Sequence, residues 1–409
     1  MVNGFARIIR KPSLQERFSV LKIAALALFI LLGTHFEFPG EVSGAGLGFA
    51  IRLGMAAVIP AYILLSRRSD ISILHGYVIF LICMYFLLIN ATDFTYFAIL
   101  GCLSIVWGLL MASLSINGAA NTIVFLCTGY LTFHMIGLAL GIFIYVATGQ
   151  IVDLHSVIFP FSEARVGELK GFVRITGFHV EPGSYSNFIY LVVLVRSLFM
   201  MRILSWFNAI AMASTMLTLA AWSVIGFGAF LIASLVELLL FNKTRLPFVL
   251  SVSVSVAVIL PSILIDEFEN DYTIYITDRF SGSDYDPSRN DKILAFISWQ
   301  NEITDAIFIG NPLPKAYCPF CLSPQDFGTM INMTYYFGVV PTLLLLLALS
   351  LNTLRRLNGA FLIFAAPLII SKAYFFEPLV WLIIGVMLFI RAQPSVERLE
   401  GPAFAGDIH

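Results

Sequence analysis

Val173-Arg174-Ile175-Thr176-Gly177-Phe178-His179-Val180-Glu181-Pro182-Gly183-Ser184-Tyr185-Ser186-Asn187 runs directly into residues 188–201, a stretch apolar enough to enter a bilayer apart from Arg196. Arg174, His179 and Glu181 therefore stand at the mouth of a membrane-length apolar segment. Pro182 and Gly183 break regular structure just before it. The spacing predicts a loop that turns into a helix and leaves helix-start N–H groups free. Such N–H groups, beside an arginine, suit a phosphate. The plainer alternative is an interface loop whose charges face water or headgroups, since ionisable side chains snorkel cheaply at that depth.

The rest of the chain has the same character. Its 409 residues are 59% hydrophobic and 12% charged, with a mean hydropathy of +0.90. That composition is too apolar for a soluble fold and predicts an all-α polytopic membrane protein, residues 1–409 forming a single integral membrane domain. A net charge of −1, with basic residues scattered in pairs, argues against a nucleic-acid partner. Cys83, Cys102 and Cys127 lie in apolar runs and read as packing residues. The basic N-terminus and the apolar run after it look like the first two regions of a signal peptide; the charge pattern favours a retained helix.

At 17 to 25 apolar residues per crossing, the sequence predicts about twelve transmembrane helices, near 18–34, 46–65, 72–90, 94–114, 119–148, 186–203, 205–220, 222–241, 246–265, 329–351, 358–374 and 376–391. The fifth is long enough that it must tilt or project. Arg7, Arg10, Lys11 and Arg17, then Arg67-Arg68, Arg196, Arg202, Lys243, Arg245, Arg355-Arg356, Arg391 and Arg398 all fall on one face under this count. Short cytoplasmic loops carry the excess Lys and Arg, so both termini are expected to be cytoplasmic. Two long loops, 149–185 and 266–328, emerge on the opposite side. The second contains a helix-start signal, Ser288 before Arg289-Asn290-Asp291. Ile293, Phe296, Ile297, Ile303 and Ile307 follow at helical spacing, which predicts an amphipathic interfacial helix.

Arg174, Arg279 and Arg289 are three guanidinium groups in those two loops, and arginine binds diphosphate through a planar, permanently charged fork. Headgroup anchoring is their alternative reading. Arg52 lies inside an otherwise apolar run, where a charge is a site candidate by default and snorkelling is the rival. Glu181, Asp326 and His179 are the candidates for proton transfer. Glu181 equally suits a structural pair with Arg174, and a lone histidine beside Phe178 equally suits packing. Cys318-Pro-Phe-Cys321 reads as a short structural disulfide, because no second Cys or His pair accompanies it. The Asn-x-Ser/Thr matches at Asn90, Asn242 and Asn332 read as chance.

These motifs occur in a consistent order across about residues 165 to 390. Arg-x-x-Gly-Phe-x-x-Glu-Pro closes the first long loop. Ser288-Arg289, Phe308-Ile309-Gly310, Asp326-Phe327-Gly328 and Tyr336-Phe337-Gly338-Val339-Val340 follow, and Glu377-Pro378-Leu379-Val380-Trp381 comes last. The pattern resembles the Wzy-type polysaccharide polymerases and the related O-antigen ligases. Ligases of this group usually carry a His where Asp326 stands, so the chain is more similar to a polymerase. The resemblance implies a glycosyltransferase of the bacterial inner membrane that joins undecaprenyl-diphosphate-linked oligosaccharides on the periplasmic side. Arg174 and Arg289, with Arg279 and Arg52 as further candidates, would bind the diphosphate, and Glu181 or Asp326 would accept the proton. It implies no metal and no cofactor, since arginines neutralise the leaving group. Lipid-linked sugars, membrane lipids, a flippase and a chain-length regulator are the implied partners. A ligase or a transporter is the alternative.

Overall fold

The computed structural model describes residues 14–34, 47–66, 71–91, 96–162, 167–169, 172–241, 251, 254–255, 307–311, 329–370 and 377–390. Their regular structure is helical apart from one short hairpin. In chain order the helices are α1 (Leu14–Gly33), α2 (Leu47–Ala56), α3 (Val58–Ser66), α4 (Ile73–Ile89), α5 (Tyr96–Leu114), α6 (Ala120–Thr148) and α7 (Leu154–Ile158). The hairpin is β1 (Gly167–Leu169) with β2 (Phe172–Arg174). Then come α8 (Pro182–Met200), α9 (Trp206–Met216), α10 (Ala221–Phe241), α11 (Thr329–Phe337), α12 (Val339–Arg356), α13 (Gly359–Ala365), α14 (Pro367–Ile370) and α15 (Pro378–Phe389). Five apolar helical stretches among the described residues are long enough to cross a membrane, and four shorter apolar helices accompany them. The protein is therefore a helical membrane protein.

Side-chain contacts fix the relative directions of the helices. Lys22 sits over Phe125, and Tyr130 donates to Gly33 O, so α1 and α6 run parallel. Phe178 lies against Gly137 while Arg196 donates to Thr128, so α8 runs antiparallel to α6. Trp381 lies against Gly108, and a Cβ on Gly385 would fall 2.6 Å from that of Ala112, so α5 and α15 are parallel. Between α5 and α6 the chain reverses at Gly118, whose φ of 142° suits glycine. One end of the bundle thus gathers the ends of α1 and α9 and the starts of α2, α8, α10 and α15. Arg202, Arg355 and Arg356 lie at the other end. The C-terminal part of α12 is placed there by Asn352, whose amide donates to Met387, Leu388 and Ile390 carbonyls at the end of α15.

Three of the expected crossings, 46–65, 329–351 and 358–374, are each two helices, and a proline lies near the start of the second helix in each. Pro60 has no N–H for the carbonyl four residues back, Ala56 O; the Trp107 indole on α5 donates to that carbonyl instead, at 2.9 Å. Pro341 likewise leaves Phe337 O without its helical donor, and Tyr85 of α4 donates there at 2.7 Å. Gly338, at φ 91°, forms the break between α11 and α12. Residues 307–311 pack into it: Asn311 N donates to Tyr335 O at 2.8 Å and Val340 N to Ile307 O at 2.9 Å.

The fifth expected segment is α6, whose 29 residues span about 44 Å, more than the ~30 Å hydrocarbon core. Gly149 ends it in the left-handed conformation. The seventh is shorter than expected: α9 has 11 residues. It still makes most of the return along α8, because the turn after it brings Thr218 to Ser186 at 2.9 Å, while Ser214 meets Tyr185 at 3.0 Å. The sixth expected segment is α8, which begins four residues before the expected crossing 186–203, with Pro182 at its first turn. Most of the expected crossing 246–265, almost all of the second long loop and the Cys318/Cys321 pair lie outside the described residues.

The opposite end of the bundle is held by polar groups with structural work. Arg196 is buried and donates to Thr128 Oγ1, Ser205 Oγ and Asn208 Oδ1, with its guanidinium over Phe207. Glu237 of α10 accepts from the Ile203 and Leu204 N–H groups at 3.1 and 2.8 Å. Those N–H groups belong to the turn between α8 and α9, so one buried carboxylate satisfies backbone that the turn leaves open.

Candidate functional site

The motif that ends the first long loop is locked onto α6 residue by residue. Thr176 O accepts from His179 N at 3.2 Å, closing a β-turn in which Gly177 has φ +59°. A Cβ on Gly177 would lie 2.7 Å from Leu138 N, so only glycine lets the turn rest directly on the α6 backbone. Gly137 in turn leaves room for the Phe178 ring, which stacks on Phe133 with centroids 4.6 Å apart. His155 of α7 secures the turn from outside. Its Nδ1 meets Phe178 O at 2.8 Å, which makes Nδ1 the donor, and its Nε2 then accepts from Ser162 Oγ at 3.0 Å.

This clamp delivers His179, fully buried, to a cluster built by α1 and α6. Tyr130 of α6 donates to Gly33 O at 2.8 Å, so its oxygen accepts from His179 Nε2 at 3.1 Å. His134, one turn further along α6, packs against His179 with centroids 4.2 Å apart and the rings tilted by 38°. Thr34 donates to Ile30 O at 2.7 Å, which assigns the 3.0 Å contact with His134 to an Nε2–H donor. His134 Nδ1 is buried without a hydrogen-bond partner among the described residues, as is Thr176 Oγ1.

Arg52 joins the cluster from α2 and is 2% exposed. Its Nη1 donates to Leu32 O at 3.0 Å and Thr34 O at 3.4 Å, placing a cation on the C-terminal carbonyls of α1. It therefore does not snorkel to an interface. Glu377, 3% exposed, immediately precedes α15 and lies within electrostatic range of both Arg52 and Tyr130. Its Oε1 has no hydrogen-bond partner among the described residues.

Glu181 and Glu377 hold the same position in two helices, each the capping residue before a proline. Their settings differ. Glu181 is half-buried and accepts from Ser184 Oγ at 3.3 Å, whereas Glu377 is buried. Arg174 is also half-buried, at the end of β2 opposite Gly167, and its Nε has no hydrogen-bond partner among the described residues.

Of the expected site residues, the structure thus brings Arg52 and His179 into one cluster and puts Arg174 and Glu181 on the segment leading into and out of it. Arg279, Arg289 and Asp326 lie outside the described residues. Sequence reasoning missed Thr34, Tyr130, His134 and His155, and it noted Glu377 only as part of a motif. His134 carried a usable signal, the same one that marked Arg52: an ionisable residue inside an apolar run. The arrangement can exchange protons through imidazole, phenol and carboxylate, and it can hold an anion near Arg174. Among the described residues no three His, Cys, Asp or Glu side chains are grouped to hold a metal ion. No family model, no curated protein and no solved structure matches the chain.

Proposed function

We propose that the protein is a polysaccharide polymerase of the Wzy type, a glycosyltransferase of the bacterial inner membrane. In this reading a hydroxyl of one lipid-linked repeat unit attacks the anomeric carbon of a growing chain and displaces undecaprenyl diphosphate. The observation that carries it is the convergence of Arg52, His179 and Glu377 around Tyr130, at the bundle end where the Arg174 segment enters α8. Twelve crossings with both termini cytoplasmic would make this end periplasmic, and Arg202, Arg355 and Arg356 at the far end agree with that orientation. Arg174, with Arg289 and Arg279 from the second loop, would bind the diphosphate and stabilise its charge as it leaves. A buried carboxylate would take the acceptor proton.

The test is elongation of a purified lipid-linked repeat unit in proteoliposomes by the wild type, Arg174→Ala and Arg289→Ala. A ladder of lipid-linked products from the wild type and its loss in both variants is the expected result. A single transfer to a second acceptor would instead identify a ligase, and normal ladders from both variants would remove the arginines from the mechanism.

A transporter is the second reading, and the break at Gly338 favours it. Discontinuous helices are a transporter feature. Movement of labelled lipid-linked sugar between leaflets with no new glycosidic bond would select that reading.

A further inference from the structure

The buried polar groups of the cluster differ in what they have left to offer. The hydrogen-bond network commits the Nε2 protons of His134 and His179 to Thr34 and Tyr130, and the Tyr130 proton to Gly33 O. Glu181 accepts from Ser184 and is half-buried. Glu377 stands apart: its side chain is 3% exposed and Oε1 accepts nothing from the described residues. An acceptor oxygen buried in this way costs about 1–3 kcal/mol, more when charged, unless a donor reaches it. Arg52 supplies a facing charge, but its Nη1 is directed at the α1 carbonyls. The capping position fixes the carboxylate further, since Pro378 sets the backbone at the first turn of α15 and Trp381 anchors that helix on Gly108 of α5.

Resting on the polymerase reading, we infer that Glu377 is the general base of the reaction, and that its open oxygen is where the acceptor sugar hydroxyl binds. As the acceptor O–H bond breaks, its proton passes to Glu377 Oε1 and the freed electron pair forms the bond to the anomeric carbon. The bond from that carbon to the diphosphate oxygen breaks in the same step, and its electron pair leaves with undecaprenyl diphosphate. Arg52 places a positive charge within electrostatic range of the carboxylate. The proton returns to solvent when the product leaves. Among the described residues, Arg52 of α2 and Tyr130 of α6 lie within electrostatic range of this carboxylate, with His134, His179 and Tyr185 around Tyr130.

The experiment is the pH dependence of elongation in proteoliposomes for the wild type, Glu377→Gln and Glu377→Asp, with folding followed by size-exclusion profile. Gln keeps the shape and removes the base; Asp keeps a charge opposite Arg52. Expected is a loss of about 10²- to 10⁴-fold in Glu377→Gln, with the acidic limb of the profile gone. Glu377→Asp should be slower than wild type with that limb retained. A Glu377→Gln rate within about threefold of wild type overturns the assignment, as does a slowed Gln variant whose limb is unchanged, which is the mark of a structural role. If Glu377→Gln does not fold, Glu377→Asp decides: a normal rate overturns the assignment. A wild type that makes no glycosidic bond removes the polymerase reading and this assignment together, whereas an elongating wild type beside an unaffected Glu377→Gln removes this assignment alone.

Discussion

Gly177→Ala is the sharpest test of how the first loop is held. The residue has φ +59°, where a side chain costs about 1–2 kcal/mol. The new methyl would meet Leu138 N at 2.7 Å, Gly137 C at 3.0 Å and Leu138 Cα at 3.1 Å, all of them α6 backbone. Backbone cannot step aside as a side chain can, so overpacking adds about 1–3 kcal/mol. The sum is about 2–5 kcal/mol, and at about 2 °C per kcal/mol for a large domain it corresponds to a fall of about 4–10 °C in thermal midpoint. Lifting the turn also draws His179 away from Tyr130, so activity should fall with stability. Gly137→Ala is the matched comparison. Its methyl comes nearest to the Phe178 ring, a side chain rather than backbone, and its own backbone is an ordinary helix, so its loss should be the smaller. Thermal unfolding of the detergent-solubilised proteins decides. A midpoint for Gly177→Ala within about 1 °C of wild type, or a larger loss in Gly137→Ala, would refute the account of the turn.

Gly310→Ala would push a methyl into Tyr336 O and the Phe337 N–H region at the α11–α12 break; it should lower the thermal midpoint and expose residues 307–311 to limited proteolysis, and a wild-type digestion pattern would contradict that docking. Arg52→Leu removes the charge within electrostatic range of Glu377 and the donor to Leu32 O and Thr34 O, and should lower the folded yield. The double variant Arg52→Leu with Glu377→Leu should recover part of the folded yield, and no recovery would mean that the two do not act as a pair. Arg196→Gln removes donors to Thr128, Ser205 and Asn208 at the opposite end; it should reduce stability while the elongation rate per folded molecule stays within about twofold, and a selective loss of rate would show that the far end takes part in the chemistry.

How far the site can be read from sequence depends on the range of the interaction that makes each part. Glu181 and Pro182 were legible because their roles are local, a carboxylate before a helix-starting proline, whereas Gly177 and Phe178 stood only as members of a motif until the turn met α6. Tyr130 and His134 were not legible, because an aromatic or a lone histidine in an apolar helix has the same local pattern whether it packs or reacts. What distinguishes them is a partner 49 residues away in the case of Tyr130 and 100 residues away in the case of His134. Pro60 and Pro341 marked breaks that a count of apolar residues runs straight through, and their consequences also lie elsewhere, in the Trp107 and Tyr85 side chains that serve the carbonyls they leave open.

The buried charges follow the same logic one step further. Arg52 declared itself by cost alone, since a guanidinium in an apolar run is too expensive to be incidental. The sequence still left open whether it escapes to the surface or finds partners within, and only the meeting of α1 and α2 decides for the second. Glu377 lay at a helix start, where a carboxylate needs no special explanation. It becomes unusual only when the bundle closes around it and leaves one oxygen without a donor among the described residues. A residue whose function depends on being sealed in has no local signature. The repetition of Glu-Pro at two helix starts is the one trace that the pair Glu181 and Glu377 leaves in the chain, and their burial separates an accessible carboxylate from one held for a proton.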